Sequence, residues 1–76
     1  MNTRDLEKFL SRLKELLEIN GCNGRDLTNA EIILDEMNIP KEEQKVFLEY
    51  CRNSGGFCDY EIFLNSEDYL REIYKD

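Results

Sequence analysis

The residues with the most reactive chemistry in this chain are three cysteines, Cys22, Cys51 and Cys58, and no histidine accompanies them. Without imidazole the chain lacks the usual general base at neutral pH, the nitrogen ligand of most zinc sites and any Ser-His or Cys-His nucleophile pair. A zinc site built on Cys22 and Cys58 would have to add Asp59 or Glu61, giving two thiolates and carboxylate oxygen, with no close Cys-x-x-Cys pair. An odd cysteine count with no export signal reads as thiols in a reducing compartment. Cys22 and Cys58 therefore stand as a possible thiol or metal pair, beside the plainer reading that all three cysteines pack as small apolar side chains. The expectation is no metal and no cofactor.

Carboxylates come in adjacent pairs: Asp35-Glu36, Glu42-Glu43 and Glu67-Asp68. Neighbours on a helix point about 100° apart, so none of these pairs forms an acid/base dyad across a cleft. Glu42-Glu43 and Glu67-Asp68 fall in predicted first turns, where the helix dipole favours negative charge. No Gly-rich phosphate loop or Ser elbow is present, and no catalytic residue is assigned.

The net charge is −7, divided as +2 over residues 1–14 and −9 over the remainder. An acidic body of this kind repels a polyanion, which argues against direct nucleic-acid binding. Arg4, Lys8 and Arg12 recur every fourth residue and form a basic ridge, with Asp5 and Glu15 placed to pair with Lys8 and Arg12. A helix-turn-helix is disfavoured because its reading helix would begin Lys41-Glu42-Glu43.

The elements that must position these groups follow from periodicity. Leu6, Phe9, Leu10, Leu13, Leu16 and Leu17 predict a helix from Thr3 to Ile19, ended by Asn20-Gly21. Thr28 and Glu31 read as a capping box opening a second helix with Ala30, Ile33, Leu34 and Met37 inward. Asn38-Ile39-Pro40 stops it. A third helix follows with Val46, Phe47, Tyr50 and Cys51 inward, closing at Asn53-Ser54-Gly55-Gly56, where one glycine is expected to take a positive φ. Cys58, Tyr60, Ile62 and Leu64 then alternate with Phe57, Asp59, Glu61 and Phe63, which predicts a strand paired with the Cys22 to Leu27 connection. A last short helix after Ser66 turns Tyr69, Leu70, Ile73 and Tyr74 inward.

The run Gly55-Gly56-Phe57-Cys58-Asp59-Tyr60-Glu61, with Gly21-Cys22-Asn23 further back, resembles a family of short uncharacterised bacterial proteins with a C-terminal Gly-Gly-aromatic-Cys-Asp-Cys-Glu signature. The resemblance implies a shared fold from about Leu6 to Asn65 and brings no known activity. In the family pattern a Cys-Asp-His and a Cys-Asp-Cys together make a zinc-capable set. Here Gly24 stands at the His position and Tyr60 at the second strand Cys.

With 76 residues, 41% of them apolar, the chain has material for one small core. The expected fold is mainly α with a minor two-stranded β pairing, about four helices in a single domain. No apolar run is long enough to span a membrane, and a cytoplasmic protein is expected. The expected function is an acidic protein-interaction module without catalysis. Asp35, Glu36, Glu42 and Glu43 would dock a partner protein with a basic surface, in one version as an inhibitor that mimics phosphate. The alternative is a metal- or thiol-dependent domain centred on Cys22 and Cys58.

Overall fold

Asn2 opens the first helix, its side-chain oxygen accepting the Asp5 N–H at 2.9 Å. The computed structural model describes residues 1–21 and 27–75. Helix α1 runs Thr3–Asn20 and buries Leu6, Phe9, Leu10, Leu13 and Leu16 along one stripe. It ends at Gly21, whose φ of +72° suits a residue without a Cβ. Helix α2 spans Thr28–Glu36 and contributes Ala30, Ile33 and Leu34 to the core. After a turn in which Asn38 has φ +59°, Pro40 caps α3, Lys41–Asn53.

Helix α3 buries Gln44, Phe47, Leu48 and Cys51. Leu48 takes the inward place expected for Val46, which lies 45% exposed, while Tyr50 is half-buried. The inward face is therefore rotated toward Gln44, whose side chain earns its burial by donating to the Asp35 carboxylate at 3.0 Å and to the Ile39 carbonyl at 2.8 Å. The helix closes in a Schellman motif: Gly56 N–H donates to the Cys51 carbonyl at 2.7 Å and Gly55 N–H to the Arg52 carbonyl at 3.1 Å. Gly55 carries the positive φ, +94°.

The expected strand is absent. Residues 59–73 form a fourth helix, α4, made of an α turn Asp59–Glu61, a π turn Ile62–Ser66 and an α segment Glu67–Ile73. No strand occurs among the described residues, whose regular elements are all helical. The proposed partner of that strand, the Cys22 to Leu27 connection, lies mostly outside the described residues. In place of ladder hydrogen bonds, the backbone of this segment is satisfied within the helix. Ser66, expected to lie just ahead of a separate last helix, is instead fully buried inside the continuous α4, its hydroxyl donating to the Cys51 carbonyl at 3.1 Å.

The core joins all four helices: Phe9 meets Phe47 edge-on with ring centroids 4.7 Å apart, and Ile62 and Leu70 of α4 complete the cluster. Tyr74 packs on Phe47 and Tyr50, and the Thr3 hydroxyl donates to the Tyr74 carbonyl at 2.7 Å, tying the two ends of the chain together.

Candidate functional site

Of the four carboxylates expected to dock a partner, three are occupied within the chain. Asp35 accepts from Lys41 Nζ at 2.8 Å as well as from Gln44, which pins the α2–α3 turn. Glu36 receives a two-pronged bond from Arg12, Nε to Oε2 at 3.0 Å and Nη2 to Oε1 at 3.2 Å, which straps α1 to α2. Glu43 pairs with the amino group of Met1. Glu42 makes no ion pair among the described residues and is exposed. Glu49 lies two turns further on the same face, also unpaired among the described residues, with exposed Val46 between them. The basic ridge is likewise uneven, because Arg12 also bonds Glu15 at 3.3 Å while Arg4 and Lys8 make no ion pair among the described residues.

Cys22 lies outside the described residues, and so does its pairing with Cys58. Cys58 itself is buried just ahead of α4, and Cys51 is buried in the last turn of α3. Burial pushes the Cys51 thiol up to about 12, with nearby Asp59 adding to the effect against the opposing pull of Arg52. Such a thiol is protonated and inert at neutral pH. Among the described residues no three His, Cys, Asp or Glu side chains gather as a metal would require.

Asp59 has the opposite role from the one alternation implies. Its side chain is 2% exposed and points into the fold, with Oδ2 accepting the Asn29 N–H at 3.1 Å and Oδ1 the Ala30 N–H at 3.0 Å. These are the second and third residues of α2, whose amides an N-cap side chain normally satisfies. Thr28 is the first helical residue and not the cap; Leu27 precedes it, and although its carbonyl accepts the Glu31 N–H at 2.9 Å it has no side-chain oxygen to offer. A carboxylate from 30 residues downstream therefore caps α2, and the positive end of the helix dipole compensates its buried charge.

The Gly-Gly-to-Asn65 run works as one clamp. Asn65 Nδ2 donates to the Gly55 carbonyl at 2.9 Å, and the Ser54 hydroxyl lies 2.8 Å from that of Ser66. Gly56 is buried so closely against α4 that an added Cβ would fall 2.4 Å from Ser66 Oγ.

The pH dependence of stability follows from these contacts. Burial pushes Tyr74 up to about 12, as it does Cys51, so the stabilisation from keeping both protonated is complete below their unfolded values of about 9–10 and is lost as pH rises through the folded ones. Hydrogen bonds from Lys41 and Gln44 hold the Asp35 carboxyl below its ordinary value, and Arg12 does the same for Glu36. Their contribution is present above the unfolded carboxylate range, about 4, and is lost as pH falls through the depressed folded values. Urea midpoints measured against pH should form a plateau that falls on both sides. Replacing Cys51 by Val should flatten the alkaline fall, and an unchanged alkaline limb would place its origin elsewhere.

The feature that sequence reasoning missed is a groove of about 570 Å³ between α1 and α4. Leu17 and Phe63, half-buried on the core, are joined in its lining by Tyr60 and Leu64, which are 55% and 63% exposed. Lys14, Glu18 and Glu67 complete the lining. Read as a helix, residues 60, 64 and 67 recur at four and three, the spacing that would have placed them on one exposed face.

No described helix is long and apolar enough to cross a membrane. Neither a curated protein nor a solved structure matches the chain. A family model does match, over residues 9–65, a span that holds the α2 cap, the Gly55-Gly56 clamp and most of the groove: the chain belongs to the protein family of unknown function DUF2695.

Proposed function

We propose that the chain is a small protein-interaction module, without chemistry of its own, that docks on the basic surface of a partner protein. The observation that carries this reading is the groove, where the large apolar side chains of Tyr60 and Leu64 stand exposed beside Leu17 and Phe63. Apolar burial of this kind supplies affinity, while a net charge of −7 steers a cationic partner and repels an anionic one. A partner whose basic surface otherwise binds nucleic acid fits the same description, with exposed acids such as Glu42 and Glu49 standing where phosphates would lie. The docking carboxylates are then these exposed acids more than Asp35, Glu36 and Glu43, which serve the fold.

The test is affinity capture from the source cell with the full chain and with the double reversal Glu42→Lys/Glu49→Lys, followed by titration of the purified partner. Salt and the reversal should each slow association, together by about tenfold, with little effect on the melting temperature, because both sites are exposed. A partner bound at the same rate by both chains, at low and at high salt, would overturn the reading.

A further inference from the structure

We infer that the groove between α1 and α4 receives an amphipathic helix of the partner whose apolar face is flanked by Lys or Arg. This inference rests on the docking reading above and deepens it. All described elements are helices, so the surface offers no strand edge among the described residues for an extended peptide to join. What it offers is side-chain burial along two neighbouring helices, and a third helix fills such a surface with residues spaced three and four apart. Leu17 and Phe63 are already packed on the core, while Tyr60 and Leu64 stand exposed beside them.

Charge decides which helix. The last turn of α1 contains no basic residue, and Glu18 sits there at the negative end of the helix dipole, where a carboxylate is unfavourable. Glu18 has no ion-pair partner among the described residues. Glu67 lines the groove from α4, and its contact with Arg71 is long, 3.5 Å. Lys14 is the one cation lining the groove among the described residues. A Lys or Arg brought in by the partner would relieve both carboxylates and the helix end together, whereas an acidic flank would add to the repulsion.

The experiment uses two synthetic helical peptides with the same Leu face, one flanked by Lys and one by Glu, titrated into the ¹⁵N-labelled full chain. The Lys-flanked peptide should shift the amides of Leu17, Tyr60, Phe63 and Leu64 and bind more tightly than the Glu-flanked one. Leu64→Ser or Tyr60→Ser should weaken it by about fivefold or more, chiefly through faster dissociation. Glu18→Lys should weaken the Lys-flanked peptide and strengthen the Glu-flanked one. Because the mapping on the unaltered chain needs no variant, a substitution that unfolds the protein leaves the result decisive. Shifts confined to α2 and α3 would overturn the groove as the site while supporting a basic partner. Equal binding of the two peptides would overturn the charge preference, and no binding of the Lys-flanked peptide would overturn the inference. The docking reading stands or falls separately, on the salt and charge-reversal response of the captured partner.

Discussion

Replacing Asp59 by Ala should destabilise the fold by about 3 kcal/mol, the combined effect of a lost helix cap and of two amides left without their acceptor. The carboxylate is buried and bonds the Asn29 and Ala30 amides at 3.1 and 3.0 Å, so its removal strips the first turn of α2 of both capping bonds at once. The loss should be local before it is global: hydrogen exchange at Asn29 and Ala30 should accelerate more than at Phe9 or Phe47. Asp59→Asn should fall between wild type and Ala, since one amide oxygen can still accept while the charge facing the helix dipole is gone. Urea unfolding gives the magnitude. A loss of under about 0.5 kcal/mol, the scale of an ordinary surface substitution, would mean that α2 finds its cap elsewhere.

The second large effect is expected at Gly56, and it should exceed that at its neighbour. Gly55→Ala forces a methyl group onto a residue at φ +94°, which costs about 1 kcal/mol. Gly56 has no such conformational demand but far less room. A Cβ there would lie 2.4 Å from Ser66 Oγ, 3.0 Å from the Cys51 carbonyl oxygen and 3.4 Å from Ile62 Cγ1. Ser66 is fully buried and Cys51 belongs to the α3 backbone, so neither can swing away, and Gly56→Ala should cost about 2–3 kcal/mol. Adding Ser66→Gly should recover part of this by removing the closest contact. If denaturant midpoints placed Gly55→Ala below Gly56→Ala, the close approach of α3 and α4 would be overturned as the dominant constraint.

The first three helices could be read from the sequence because most of their buried positions, all but Asn29 and Gln44, are apolar at spacings of three and four, as with Leu6, Phe9, Leu10 and Leu13. The fourth could not, although its buried positions Asp59, Ile62, Ser66 and Leu70 keep the same spacing. Two of these four are polar, and two exposed positions of the same helix, Tyr60 and Leu64, are large and apolar. The polarity of α4 is thus partly inverted, and Cys58, Tyr60, Ile62 and Leu64 mimic the alternation of a strand. Asp59 finds its compensation in α2 and Ser66 in α3, partners that no local pattern announces. The acids expected from the sequence to dock a partner show the same limit. Asp35 and Glu36 look like a solvated pair in sequence, and only the packing of α1 on α2 and the α2–α3 turn reveal that Arg12, Lys41 and Gln44 hold them. The positive φ near Gly55 was legible because Gly-Gly after a helix has a narrow set of uses.

The π turn at Ile62–Ser66 sets how the chain tolerates a change of length. Its hydrogen bonds span one residue more than those of an α-helix, so it absorbs one residue beyond the regular helical repeat. Deleting one exposed residue there would leave a regular α-helix with Asp59 and Leu70 still directed toward their present partners. A deletion or insertion within the regular turns of α2 or α3 would instead rotate every later residue of that helix by about 100° and carry its buried stripe off the core.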